Sequence, residues 1–598
     1  VPYSLREDEK LEEKVNIDII KRLLKYLKPY KKEVAIVLLL VGIVMAVELA
    51  NPYFLKITID RYIKDKDTRG LISIGILLLI LNLVSALCAR ARIIRMSSVT
   101  NRILLDIRQD LYNHIQRLSL SFFDERPVGK ILARVIGDVN SLHNLFTMSI
   151  TNLIPDIAMI IATSVIMFSL NAKLALVALS TLPVLVITLF SIQIISRKRW
   201  QVVRKKNSTL NAFTHENFSG IRVIKYFTAE RYRFNIFNEL AWDLRSAFVR
   251  AVRINDLFWP MVDFSWGLGT VITFYFGVRM INSGNITVGL LVAFTNYIAM
   301  FWRPITDLSN LFNNLVTSMA SAERIFEILD INPQIIERDN AIDVEIKGGV
   351  EFRNVSFSYD GEKKVLDNVS FKVNPGEKVA LVGHTGAGKT TIINLICRFY
   401  DAQEGEVLID GINIKDIKLE CLRRQIGVML QDTFLFSGSI LDNIKYGRLD
   451  ANDEEVVQIA RWVYAHSFIS SLEKGYDTDI RERGLRLSTG QRQLVSLART
   501  LIADPKILIL DEATASVDTS TERLLQKGIS KLLEGRTAFI IAHRLSTIQS
   551  SDKILVVENG KIVEMGKHDE LMEKKGIYYT MFMSQFRYWE DKEKNLVS

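Results

Sequence analysis

Between residues 383 and 390 the chain reads Gly383-His384-Thr385-Gly386-Ala387-Gly388-Lys389-Thr390, followed by Thr391. Glycines at this spacing let successive backbone N–H groups wrap a phosphate chain. A lysine placed as Lys389 is reaches the β- and γ-phosphates, and a hydroxyl placed as that of Thr390 binds Mg²⁺. A second group, Asp511-Glu512, ends the apolar run Ile507-Leu508-Ile509-Leu510, and Asp511 lies 122 residues after Lys389. Asp511 at a strand end can hold Mg²⁺ through water, and Glu512 can orient and deprotonate an attacking water. An apolar run ending in two carboxylates is common by itself. Paired with a phosphate loop, it specifies phosphoryl transfer from a nucleotide to water.

These groups work only if the chain positions them. Val379-Ala380-Leu381-Val382 is a short apolar run of strand type, and Thr391-Ile392-Ile393-Asn394-Leu395 has helical character. The order strand, glycine loop, helix puts the phosphates on a helix N-terminus, where the dipole is positive. Four apolar residues before Asp511 read as a parallel strand buried on both faces. The region from about residue 346 onward is therefore expected to be a soluble α/β domain.

The remainder is of another kind. The 598 residues are 48% hydrophobic and 24% charged, which excludes a disordered chain. The three cysteines, Cys88, Cys397 and Cys421, are too few for a disulfide scaffold and lack metal-ligand spacing. Mean hydropathy is +0.16, and the apolar residues concentrate before residue 330. Six stretches approach the ~20 residues that cross a bilayer core: 34–55, 71–88, 145–170, 174–194, 257–280 and 287–308. The connector between the second and third holds nine basic residues, and that between the fourth and fifth holds thirteen. The opposite links are poorer: residues 57–70 carry four basics against three acids, and 281–286 carry none. The basic side is expected to be cytoplasmic, with both termini inside. The net charge of +9 thus reads as membrane orientation rather than nucleic-acid binding. Before the first stretch, Ile19, Ile20, Leu23, Leu24 and Leu27 recur at helical spacing among Lys21, Arg22, Lys25 and Lys28. That pattern fits an amphipathic helix on the inner membrane surface, or one packed on protein. The expected division is 1–33 amphipathic helix, 34–325 membrane domain, 326–345 linker and 346–598 nucleotide domain.

Three acids fall within the apolar stretches: Glu48, Asp156 and Asp263. Each costs about 2.5–3.5 kcal/mol at the centre of a lipid-facing helix. They should line a polar cavity or serve as packing contacts between helices. The two long basic connectors carry few turn residues and should extend the spans as helices, interrupted near Ser121–Gly129 and Gly220.

Leu487-Ser488-Thr489-Gly490-Gln491 resembles the signature sequence of ABC transporters, and the whole chain is similar to an ABC exporter half-transporter. The resemblance implies six membrane helices fused to an α/β P-loop ATPase, with ATP and Mg²⁺ as ligands. It implies that Tyr359 stacks on adenine, Gln431 senses Mg²⁺ and water, Asp518 crosses between two nucleotide sites and His543 contacts the γ-phosphate. Arg481-Glu482-Arg483-Gly484 matches the loop that touches the coupling helices, and the turns at Phe123-Asp124 and Gly220 resemble those helices. Two such chains would clamp two ATP molecules, each site completed by Ser488, Gly490 and Gln491 of the opposite signature. Thr489 departs from the family pattern, which has glycine there. Its Cβ and methyl stand where backbone must approach a phosphate. Glu512 and His543 are nonetheless present. A heterodimer with one competent and one degenerate site is expected ahead of a homodimer. The implied activity is ATP-driven export of amphipathic or lipophilic small molecules across the inner membrane. The alternatives are a lipid flippase and an ATP-gated regulator.

Overall fold

In a computed structural model of the chain, residues 17–429, 433–511, 519–541 and 548–584 are described. Gln431, Glu512, Asp518 and His543 lie outside the described residues. The chain divides into two compact units. One comprises the residues up to Gln116 together with Gly129–Asp330; the other comprises Arg117–Val128 together with the chain from Ile331 onward.

The first unit is helical. Four of its helical runs are long and apolar enough to cross a membrane among the described residues: Asp18–Ile63, Thr68–Arg117, Val128–Leu179 and Glu230–Asn282, with a shorter apolar piece at Val288–Met300. All six stretches expected from hydropathy are helical, but 174–194 is not one helix. The preceding helix bends at Asn171 (φ −164°, ψ 105°), whose side-chain oxygen accepts the Leu174 N–H at 3.0 Å and so caps a new start. That segment stops at Leu179, and the next helix, Leu182–Ser219, begins with Pro183 in its first turn. Proline has no N–H to give to the carbonyl four residues back, so the helix breaks there. The apolar part of Leu182–Ser219 then ends at Ile195, ahead of the charged run Arg197-Lys198-Arg199.

Small residues let these helices approach. A Cβ added at Gly277 would meet Leu291 at 2.4 Å, and one at Gly269 would meet the Thr181 hydroxyl at 3.0 Å. Outward-facing Leu79, Ile187 and Val271 are left 66–68% exposed. Lipid is the solvent in which such a surface is stable, since an α-helix satisfies its interior backbone groups within itself. Glu48 and Asp156 are half-buried and Asp263 is exposed.

The second unit is α/β. Its described strands are β1 (Val350–Phe357), β2 (Leu366–Val373), β3 (Lys378–Val382), β4 (Glu404–Ile409), β5 (Ile412–Asn413), β6 (Ile426–Met429), β7 (Ile507–Asp511), β8 (Thr537–Ile541), β9 (Lys553–Glu558) and β10 (Lys561–Gly566). They form an antiparallel sheet, β2-β1-β4-β5, and a second sheet, β10-β9-β3-β8-β7-β6, parallel except at β10. In the second sheet alternate side chains enter different cores. Ile507, Ile509, Phe539 and Ile541 pack with the helix Lys389–Ile396, whereas Leu508, Leu510, Ala538 and Ile540 pack with the helix Thr489–Ile502. Burial on both faces explains why these strands read as continuous apolar runs.

One buried charge ties this unit together. The Arg398 side chain, 1% exposed, donates to the carbonyls of Ile336 (3.1 Å), Ile414 (3.4 Å) and Ile417 (3.4 Å) and pairs with Asp401 at 3.1 Å. It thereby joins the start of this unit to the β4–β5 region. Arg398→Met removes the donor to those carbonyls and the partner of Asp401, and should cost about 2–4 kcal/mol. The expected result is a fall of roughly 5–10 °C in the thermal midpoint of the purified protein, and Arg398→Lys should rescue little because an ammonium cannot span the three carbonyls.

Candidate functional site

The parallel strands bring distant segments to one edge. Pairing aligns Leu381 with Ile541, and Ile541 with Asp511, so the carboxyl ends of β3, β8 and β7 stand at one level in adjacent strands. β6 joins them through Met429 opposite Leu510. The glycine loop leaves β3, and Asp511 ends β7. In sequence, β8 ends two residues before His543, β6 ends two residues before Gln431, and Glu512 follows Asp511 directly. Ligands of open α/β sheets bind outside such carboxyl ends.

The glycine loop is held from behind. A Cβ on Gly383 would lie 2.1 Å from the Val557 carbonyl oxygen. Gly388 has φ +110°, and its Cβ would meet Leu366 Cδ2 at 2.8 Å. Gly386, at φ +82°, has nothing within 4 Å of where a Cβ would stand. The loop is thus pressed against β9 at one end and β2 at the other and is open at its centre, where His384, Thr385 and Gly386 are exposed while Ala387 and Gly388 are buried. Lys389 Nζ donates to the carbonyls of Gly383 (2.7 Å) and His384 (2.9 Å), so the ammonium lies across the loop it follows. Burial lowers the Lys389 pKa from its ordinary value, against the charge of Asp511, which raises it. Thr390 is exposed, whereas Thr391 is buried and its hydroxyl accepts from the Tyr359 hydroxyl at 3.2 Å. Asn394 donates to the Tyr359 hydroxyl at 3.2 Å, and Tyr359 is 47% exposed beside the loop's helix.

This is a cradle for a nucleotide polyphosphate: bare backbone at the centre, a cation across it, and an aromatic face alongside. Among the described residues no group of three or more His, Cys, Asp or Glu could hold a metal ion. A metal at Thr390 and Asp511 would complete its shell with phosphate oxygens and water, which suits Mg²⁺.

The signature residues open the helix Thr489–Ile502. Ser488 Oγ accepts the Gln491 N–H at 3.3 Å while Gln491 Oε1 accepts the Ser488 N–H at 2.9 Å. This reciprocal cap leaves the helix N-terminus exposed, with Gly490 buried beneath it. Thr489 is exposed, and its hydroxyl accepts from Arg492 at 3.2 Å. In the neighbouring loop Arg481 and Arg483 take left-handed φ of 58° and 54°.

Phe123 and Asp124 lie in Leu120–Glu125, part of the segment that packs with the α/β unit. Asp124 accepts a hydrogen bond from the Tyr400 hydroxyl, Ser121 donates to Gln334 at 2.8 Å, and Phe122 is buried under Arg126. Burial and the neighbouring carboxylate push the Tyr400 pKa upward. Sequence reasoning missed Tyr400, Gln334 and Arg398, and no spacing marks them. Gly220 caps the end of Leu182–Ser219, next to the exposed Phe218 and Tyr226.

A polytopic helical unit and a P-loop α/β unit in one chain define a nucleotide-driven membrane transporter. Residues 34–305 match the family described as the ABC transporter transmembrane region, and residues 366–515 match the family described as ABC transporter. The chain is 44% identical over 587 residues to an uncharacterized ABC transporter ATP-binding protein, YknV, of Bacillus subtilis, covering 98% of this chain and 97% of that protein. It is 37% identical over 580 residues to an ATP-dependent lipid A-core flippase of Syntrophus aciditrophicus, covering 96% of each. A solved bacterial Atm1-family ABC exporter with ATP bound matches with a TM-score of 0.78 at 29% identity, over 93% of this chain and 98% of that one. The chain belongs to the ABC transporter family, as an exporter half-transporter. It is a multi-pass membrane protein that binds ATP and couples ATP hydrolysis to export, and half-transporters of this kind generally act as dimers.

Gly383→Ala drives a methyl into the Val557 carbonyl and must shift the loop. Affinity for a fluorescent ATP analogue should fall at least about tenfold, whereas an alanine at exposed Gly129, where a Cβ meets nothing within 4 Å, should leave it unchanged.

Proposed function

We propose that this chain is one half of a heterodimeric exporter of amphipathic or lipophilic small molecules in the inner (cytoplasmic) membrane, with both termini cytoplasmic. The observation that carries the asymmetry is Thr489: an exposed β-branched residue at the N-terminus of the signature helix, where the family places glycine. Its methyl and Cβ stand out from the surface that the opposite nucleotide must approach. The ATP held by the partner's loop and completed by this signature is poorly hydrolysed. The ATP held by this chain, with Lys389, Thr390, Asp511, Gln431, Glu512 and His543, is the competent one, completed by the partner's signature. Mg²⁺ bound by Thr390, Asp511 and Gln431 supplies neutralisation of phosphate charge. The residues do the rest: the loop N–H groups and Lys389 fix the phosphates, Tyr359 stacks on adenine, Glu512 holds the attacking water and takes its proton, and His543 holds the γ-phosphate. Asp518 links the two sites.

Closure of the two nucleotide units is passed to the helices through Phe123-Asp124 and the Gly220 turn. The packing of residues 117–128 with the α/β unit supports the first of these routes. Glu48, Asp156 and Asp263 bear on the transported cavity. The flippase relative supports lipophilic substrates, and lipid flipping is the second reading of the same machinery.

Glu512→Gln should abolish most ATP turnover while ATP binding persists; a wild-type rate would refute its role. Purified alone, the chain should hydrolyse ATP slowly, and Thr489→Gly should raise that rate about tenfold, equivalent to about 1.4 kcal/mol of barrier. Robust drug-stimulated hydrolysis by the unmodified chain without a second subunit would sink the heterodimer.

A further inference from the structure

The helix Ile17–Leu27 and the first membrane helix, Lys31–Ile57, meet at an elbow formed by Lys28-Pro29-Tyr30. Two of the first helix's faces are already committed. Ile19 and Leu23 are buried. Arg22 forms a two-pronged pair with Asp330 at 2.7 and 2.8 Å and lies 4.1 Å over the Phe326 ring. Beyond it, the Tyr26 hydroxyl donates to Asp110 at 3.0 Å and the Tyr30 hydroxyl to Asp106 at 2.8 Å. The remaining face is different. It forms the wall of a groove of about 510 Å³ whose floor is Leu24, Leu27, Val34 and Leu38. Lysines 21, 25, 28 and 31 stand around it. Lys21 is paired with Asp18, and among the described residues no carboxylate is paired with the other three.

We propose that this groove binds one anionic phospholipid of the inner leaflet, with an acyl chain along Leu24–Leu38 and the phosphate between Lys25, Lys28 and Lys31. Charge complementarity selects the occupant. Three ammonium groups unpaired among the described residues, around the elbow that leads into a membrane helix, sit at the depth of the headgroups, and their stems can cover the apolar floor while their tips reach phosphate. A zwitterionic lipid fills the same floor but brings its own cation to a cationic rim. The placement rests on the proposed inner-leaflet orientation. The opposite face of this helix holds Asp330, the last residue before the nucleotide unit, so the occupied groove braces the strap formed by Arg22 and Asp330.

The test is native mass spectrometry of the purified full-length protein with equimolar dioleoylphosphatidylglycerol and dioleoylphosphatidylcholine. The wild type should retain the glycerol lipid with a preference of at least about tenfold. The variant Lys25→Gln/Lys28→Gln/Lys31→Gln should approach parity, and the Lys→Arg version of all three should restore the preference. Parity in the wild type overturns the proposal, as does a preference that survives the glutamine substitutions. A photo-crosslinker at Leu38 should capture lipid; capture of residues 1–16 instead would make the chain's own acidic N-terminus the occupant and overturn it. Lipid retention is read without turnover, so failure of export or hydrolysis bears on the proposed function and not on this site.

Discussion

The arrangement depends on a requirement for closeness. Phosphate oxygens must meet several backbone N–H groups at once, and a side chain at the glycine positions where the loop turns or touches its support would displace that arc. The chain satisfies this by pressing the glycines of the loop closely onto neighbouring strands, largely onto backbone. Gly383 lies on the Val557 carbonyl, and Gly388 lies on Val365 and Leu366. The Gly560 N–H donates to the Ala387 carbonyl at 3.1 Å, and the Gly560 carbonyl accepts from Asp367 at 2.9 Å. A Cβ on Gly560 would stand 2.4 Å from the Val365 carbonyl oxygen. Three chain segments far apart in sequence therefore meet through bare backbone, and the turn between β9 and β10 serves as the rear wall of the loop.

The same logic sets the sheet. Level strand ends require register, and register in a sheet buried on both faces is enforced by the alternation of side chains between two cores. Slipping β7 by one residue would send Ile507 and Ile509 to the wrong core and move Asp511 off the level of Ile541. In the helical unit the solvent is apolar, and backbone satisfaction becomes the controlling demand. Breaks occur where a side chain replaces the missing partner, as Asn171 does, or where a proline removes the donor, as Pro183 does.

What was legible in the sequence follows from locality. The glycine loop, the run ending in Asp511 and the signature are each contiguous, so their chemistry and the α/β context could be read directly. Apolar length identified the helices, and the expected helical extensions of the basic connectors appear as Thr68–Arg117 and Leu182–Ser219. Hydropathy averages over Pro183, which is why 174–194 read as one span. Tyr400 and Gln334 were invisible because their roles come from partners 276 and 213 residues away. Arg398 looks like any surface arginine until the carbonyls of residues 336, 414 and 417 close around it.

Thr489 joins both kinds of information. The substitution is visible in the sequence, but its consequence depends on what the helix start retains. The cap between Ser488 and Gln491 is complete, so the positive end of the helix still faces outward. The threonine hydroxyl is turned toward Arg492. What changes is steric: a β-branched side chain replaces a residue over which a phosphate could slide. On the proposed reading, attraction at long range persists while contact at short range is spoiled, and a site built this way holds ATP and helps the two nucleotide units close, yet lacks the fit that hydrolysis requires. Clamping and turnover can then be divided between the two sites of one dimer, with the opening step timed by a single hydrolysis.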